Sequence, residues 1–185
     1  MAGRVCPVWV GYIMASPLRR LMENPMKILG DFIEPGMTVL DVGCAMGFFS
    51  LPAAKLVGSN GKAVCVDLQS GMIESLKKRA ARSGLSDRID PRICSENSLE
   101  ISDLVDQVDF AFAFHVVHEV PDVPGFMAEI HTVLKPGARF LVAEPKGHTS
   151  VDDYKATEAA AQQAGFMIID QPKLRKDRTT MFLKK

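Results

Sequence analysis

Asp41, Gly43 and Gly47 stand in "VLDVGCAMGFFS", residues 39–50, as D-x-G-x-x-x-G between an apolar run and a helix-forming stretch. A glycine-punctuated turn at such a place usually holds a ligand, because residues without Cβ let the backbone turn sharply and approach what it binds. The dinucleotide fingerprint spaces its glycines G-x-G-x-x-G and seats a pyrophosphate at the helix N-terminus. Here Cys44, Ala45 and Met46 fill the places between the glycines, so the turn is a different one and no pyrophosphate has to fit. Asp67 closes a second apolar run, "AVCVD". Two further stretches carry groups able to move protons: His115, His118 and Glu119 in "FHVVHEVPD", and Glu144, Lys146 and His148 in "AEPKGHTS". The latter is a glycine-containing loop of the kind that carries function. Its plain alternative is a pair of solvated charges, with His148 belonging to the cap of the next helix.

These residues need a scaffold, and the totals bound it. A chain of 185 residues, 47% of them hydrophobic, suits one domain with a single core. Lys plus Arg and Asp plus Glu are 22 each, so no global basic field steers the chain toward nucleic acid or an anionic membrane, although local patches remain open. Cys6, Cys44, Cys65 and Cys94 lie far apart, without metal-ligand or disulfide spacing, which fits reduced thiols and small apolar packing. The apolar run from Val5 to Leu18 is broken by Gly11, Ser16 and Pro17 and falls short of the roughly 20 residues a bilayer span needs. The Arg19–Arg20 pair follows that run, whereas a signal peptide puts its charges first. A soluble, cytoplasmic and unprocessed protein without a transmembrane segment is expected.

Strand-like and helix-like stretches then alternate, the mark of an α/β sheet covered by helices on both faces. Strands are expected at Val39–Val42, Ala63–Val66, Arg88–Cys94, Val108–Phe114, Arg139–Ala143, Phe166–Asp170 and Thr179–Leu183. The run "VDFAFAF" is apolar almost throughout, as a central strand buried on both faces should be. Helices are expected over Phe48–Val57, from a Ser70 cap to Gly84, from an Asp122 cap to "KPG" at 135–137, and from a Ser150/Asp153 capping box to Ala164. The last two strands have no helix between them, so the sheet should be mixed rather than purely parallel. Ser16–Pro17 and Asn24–Pro25 read as helix starts in an N-terminal segment.

Four stretches in order, "VLDVGCAMGFFS", "VCVDLQSGMIESLKKRA", "VDFAFAFHVVHEVPD" and "VLKPGARFLVAEP", make the chain resemble a class I S-adenosylmethionine-dependent methyltransferase over roughly residues 25–185. The resemblance implies a Rossmann-like seven-stranded mixed sheet with an antiparallel last strand, a leader or lid at 1–34 and a methyltransferase domain at 35–185. It implies S-adenosyl-L-methionine as cofactor, lying across the carboxyl ends of the first strands, where ligands of open α/β sheets sit. Asp41 would lie near its ammonium and sulfonium, and amides of the Gly43-Cys44-Ala45-Gly47 turn near its carboxylate. Asp67 would accept the two ribose hydroxyls, a plain helix-capping carboxylate being the alternative. Leu68 would pack on the adenine or ribose face, and Phe114 and His115 would line the site at the end of the fourth strand. Members usually carry glycine at the place of Ala45, and an Asp reading adenine where this chain has "CSENS". Ser95 aligns best with that Asp, and Glu96 and Asn97 stay open beside it.

Methyl transfer from a sulfonium is an in-line displacement in which positioning does most of the work and a proton acceptor is optional. Glu144, His148 and His115 are the expected catalytic residues, with Lys146 beside them; His115 can equally be structural, and His118 and Glu119 lean that way. The leader residues Trp9, Tyr12 and Met14 are expected to line an apolar wall, with membrane-surface binding and simple core packing as alternatives. The expected acceptor is a small molecule. No DNA partner is expected, since an N-P-P-Y-like motif is missing, while the basic tail "KLRKDRTTMFLKK" keeps an RNA methyltransferase open. A non-catalytic, cofactor-binding module is the alternative from another class, and a nicotinamide dehydrogenase ranks third because of the glycine spacing.

Overall fold

A computed structural model describes residues 23–174 and 176–185. The expectations for Cys6, Trp9, Tyr12, Met14, Ser16–Pro17 and Arg19–Arg20 lie outside the described residues. Seven strands, β1 (Thr38–Val42), β2 (Lys62–Asp67), β3 (Ile89–Ile93), β4 (Val108–Phe114), β5 (Leu134–Pro145), β6 (Phe166–Asp170) and β7 (Asp177–Lys184), form a sheet in the order β3-β2-β1-β4-β5-β7-β6. The pairs β1–β2, β2–β3 and β4–β5 are parallel, whereas β7 is antiparallel to both β5 and β6. The direct β6–β7 connection is the cause: without a helical crossover the chain can only return antiparallel. The described residues fall into two compact units, one ending at Cys94 and the other spanning Ser95–Lys185.

In the unit ending at Cys94, α1 (Pro25–Leu29) starts as expected at Asn24, whose Oδ1 accepts from the Met26 amide at 3.1 Å, with Pro25 in the first turn. Helix α2 (Ser50–Leu56) tolerates Pro52 because it too lies in a first turn, where no intrahelical partner for its nitrogen is needed. Helix α3 (Ser70–Arg82) buries Met72, Ile73, Leu76 and Ala80, the face expected from its period. Its cap differs from the expectation: Gln69 holds that place, Ser70 is already helical, and no side chain caps the helix. The Gln69 amide donates instead to Asp67 Oδ1 at 2.8 Å.

In the Ser95–Lys185 unit, α4 (Val123–Val133) is capped by Asp122, whose Oδ1 accepts from the Gly125 amide at 3.1 Å. Helix α5 (Val151–Gln163) is capped by Ser150, which accepts from the Asp153 amide at 3.1 Å and donates to the Asp153 carboxylate at 2.6 Å. Phe140, Phe166 and Phe182 pack with ring centroids 5.7–6.0 Å apart and anchor the core beside β5, β6 and β7. Helix α4 ends at Val133, just ahead of "KPG" as expected, but β5 begins at Leu134 and runs through "KPG" rather than starting at Arg139. The β4–β5 register shifts between Val108 and Phe110, and an irregular strand beginning of this kind accommodates Pro136 without a lost ladder bond.

Candidate functional site

The turn after β1 is built by its neighbours in the same unit. The amides of Gly43 and Cys44 donate to the Val66 carbonyl of β2 at 2.9 and 3.0 Å, and the Gly47 amide donates to Cys44 at 2.9 Å. Asp67 closes the arrangement: its Oδ2 accepts from the Ala45 amide at 2.8 Å while Oδ1 holds Gln69. Four of the turn's amides are thus engaged within the protein. Gly43, Ala45 and Gly47 all have positive φ, of 75°, 45° and 83°. At Gly47 the missing Cβ serves packing as well, since one would sit 2.4 Å from Leu76 Cδ1 of α3. The Arg79 guanidinium donates to the Met46 carbonyl and ties the turn to that helix.

Two acids remain at this turn without a basic partner among the described residues. Asp41 is 3% exposed and accepts from the Ser50 hydroxyl at 2.5 Å. Burial pushes its carboxyl up to about 7, against the Ser50 hydrogen bond and with the charge of Asp67 adding to the rise. Burial also raises Asp67, opposed by its two backbone donors. Buried acids held against ionisation in this way suit a cationic ligand, which would stabilise the carboxylates. Each Asp67 oxygen keeps a lone pair beyond its amide bond, enough for two hydroxyl donors. An amino-acid sulfonium carrying a ribose fits this set of acceptors. Leu68 follows half-buried, and burial lifts the Cys44 thiol, as expected of a packing residue rather than a reactive one.

In the Ser95–Lys185 unit, parallel β4 and β5 carry the ionisable groups at their carboxyl ends. His115 has φ 59°, donates its amide to Ala143 at 2.8 Å and places Nε2 3.0 Å from Asp177 Oδ1. Glu144 is 1% exposed, and its Oε1 accepts from the Val116 and Val117 amides at 3.0 and 2.8 Å. Its Oε2 accepts from Thr149 Oγ1 at 3.3 Å and from His118 Nδ1. With Nδ1–H given to a carboxylate, the neutral imidazole carries its lone pair on Nε2. The Glu144 hydrogen bond raises the His118 pKa, partial burial opposes it, and the charges of Glu144 and Glu119 add to the rise. The exposed His148 ring stands edge-on to His118 with centroids 6.0 Å apart.

The structure therefore brings Glu144 and His148 around His118, a residue whose sequence context favours a structural role, and sets His115 apart on Asp177. Phe114 is buried against Phe112, with ring centroids 5.9 Å apart. Ser95 donates its amide and hydroxyl to the Ser98 carbonyl at 3.0 and 3.4 Å, leaving Glu96 exposed at the tip of that turn. Reading along the chain missed Ser50, Asp177 and Thr149. The His115–Asp177 partners are 62 residues apart, and only the pairing of Pro145 with Asp177 across β5 and β7 explains why they meet.

The strand order, the D-x-G-x-x-x-G turn and the acidic end of β2 define a class I S-adenosylmethionine-dependent methyltransferase. Residues 33–182 match the methyltransferase domain family, and the chain belongs to it. Among solved structures, a SAM-dependent methyltransferase from Aquifex aeolicus superposes with TM-score 0.86 at 23% identity, covering 97% of this chain and 99% of that one. The demethylmenaquinone methyltransferase of Symbiobacterium thermophilum is 35% identical over 112 residues, 60% of this chain and 43% of its own length. The 2-phytyl-1,4-naphtoquinone methyltransferase of Nostoc sp. is 33% identical over 121 residues, 64% and 51% of the two chains. The chain thus spans about half the length of these curated relatives. Among the described residues, no helix is long and apolar enough to cross a membrane.

Proposed function

We propose that the protein methylates a small-molecule acceptor by in-line displacement, with His118 receiving the acceptor's proton and Glu144 positioning His118. The observation that carries this reading is the His118–Glu144 pair, in which a carboxylate spent on four donors fixes Nδ1 and leaves Nε2, 3.9 Å from Glu119 Oε1, as the nitrogen able to act. Glu144, read from the sequence as catalytic, becomes a positioning residue, because its oxygens are already occupied and it is almost without solvent contact. S-adenosylmethionine supplies, when bound, a methyl group activated by its sulfonium. Asp41 then answers positive charge, Asp67 holds the ribose hydroxyls, and Gly43, Cys44, Ala45 and Gly47 shape the backbone around them. Leu68 and Phe114 add apolar walls, and His115 holds the end of β4 in its left-handed turn. Ser95 donates its hydroxyl to Ser98 yet keeps its lone pairs, so Ser95, Glu96 and Asn97 each offer an acceptor to the adenine amino group. The names of the naphthoquinone-methylating relatives and the neutral charge balance support a small, largely apolar acceptor over DNA.

The test is calorimetric titration of the wild type and Asp67→Ala with S-adenosylmethionine, S-adenosylhomocysteine and NAD. Methyl-label transfer to a reduced, demethylated naphthoquinone with a short prenyl chain follows. Both adenosyl ligands should saturate the wild type and lose about tenfold or more in affinity in the variant, the scale of losing hydrogen bonds to a charged acceptor. Preference for NAD, or unchanged affinity in Asp67→Ala, overturns the assignment of this site.

A further inference from the structure

The carboxyl end of β5 borders a second feature that methyl transfer itself does not use. A groove of about 740 Å³ is walled by α5, by residues 171–174 and by the start of β7, a size typical of small-molecule sites. Lys146, Lys155, Lys173 and Arg178 line it, and among the described residues none of the four has a carboxylate at ion-pair distance. Its two acids are committed elsewhere. Glu158 Oε1 accepts from Thr180 Oγ1 at 2.6 Å and from Gln171 Nε2 at 3.1 Å, and Asp177 holds His115. The groove therefore carries an excess of positive charge on a chain whose net charge is zero.

The walls are fixed by the protein's own bonds. Thr179 donates to the Pro172 carbonyl, Lys146 donates its amide to Lys176 at 3.1 Å, and Arg178 Nη1 lies 3.5 Å from the Lys146 carbonyl. Val151 and Leu174 add apolar surface beside the cations. We propose that this groove binds the phosphate or diphosphate group of a small organic ligand whose apolar part rests on Val151 and Leu174. Cations lining a concave site suit a compact multivalent anion. Single-stranded RNA fits less well, because such sites stack bases on exposed aromatic rings. The one aromatic lining this groove among the described residues is Tyr154, which is buried and spends its hydroxyl on Thr180 at 3.0 Å. The anion site stands independently of the function proposed above.

The experiment titrates the full chain with inorganic pyrophosphate, dimethylallyl diphosphate, a ten-nucleotide RNA and phosphatidylglycerol vesicles. It follows backbone amide shifts by NMR and heats by calorimetry. Lys155→Gln/Lys173→Gln removes two groove cations, and Lys27→Gln/Lys78→Gln removes two exposed lysines elsewhere. The expected result is saturable binding of both diphosphates with shifts at Lys155, Lys173 and Arg178. The groove variant should weaken that binding about tenfold or more, with the control unchanged, given the strength of charge-assisted bonds to phosphate. Tighter binding of dimethylallyl diphosphate than of pyrophosphate identifies the apolar wall as part of the site. Equal weakening in both variants, no shifts in the groove at millimolar diphosphate, or preference for RNA or vesicles overturns the proposal. S-adenosylhomocysteine titrated into the same samples separates the two readings. Its retained binding in the groove variant shows an intact fold, whereas its failure to bind the wild type refutes the cofactor assignment and leaves the groove result standing.

Discussion

Asp41→Asn isolates the electrostatics of the glycine turn. The Asp41 carboxyl is raised from 3.8 to about 7 by burial, opposed by Ser50 and assisted by Asp67. A carboxyl that holds its proton more tightly folded than unfolded contributes stability at acid pH and loses it as pH rises from the unfolded value through the folded one. At about 1.4 kcal/mol for each pH unit separating 3.8 from 7, the total loss is about 4 kcal/mol. Of that, about 2.5 kcal/mol falls between pH 5 and pH 8 by the same linkage. Asparagine does not titrate, and its carbonyl can still accept from Ser50. Urea denaturation of wild type and variant, without S-adenosylmethionine, at about pH 5 and about pH 8 gives a difference of differences. Constant packing costs of the amide cancel in it. The variant should gain about 2.5 kcal/mol relative to the wild type on going from acid to alkaline pH. A gap that stays constant shows that the folded protein does not hold a proton on Asp41, and refutes the picture of a dry, cation-seeking acid.

Glu144→Gln should lower the His118 pKa, read by NMR of carbon-labelled histidine, and destabilise the fold by about 2 kcal/mol or more, because an amide replaces an acceptor-only group among four donors. The raised His118 pKa means the pair stabilises fully below pH 6.5 and loses that contribution as pH climbs through the folded value, so the variant's deficit should be largest in acid. An unchanged His118 titration would show that the pair does not exist in solution. Gly47→Ala should cost about 2–4 kcal/mol, combining a left-handed backbone with overpacking against Leu76. Adding Leu76→Ala should return only the overpacking part, and a strictly additive double mutant in urea denaturation would refute the contact.

Much of this fold is legible along the chain because its signals are local. The period of "MIESLKKRAA" places the buried face of α3, the Asn24, Asp122 and Ser150 caps act where their side chains reach the next turn, and "VDFAFAF" is β4 residue for residue. The errors are also local in kind. Ser70 looks like a cap, yet the Asp67 carboxylate takes the neighbouring amide, and β5 starts at Leu134 rather than Arg139 because its irregular beginning absorbs Pro136 and Gly137.

The order of residues already dictates the alternation of strands and helices, the mixed sheet and the glycine turn after β1, since these follow from hydrophobic period, caps, glycine spacing and the missing last crossover. Which ionisable groups meet is settled only by the folded sheet. His118 lies 26 residues from Glu144, and Lys155 and Lys173 come to one groove from a helix and a strand connection. No local spacing encodes such meetings, because they depend on which strand ends the sheet sets side by side. The surroundings of Glu144 turn on the same fact: its type suggests a base, but four neighbours, His118 among them, already occupy its two oxygens.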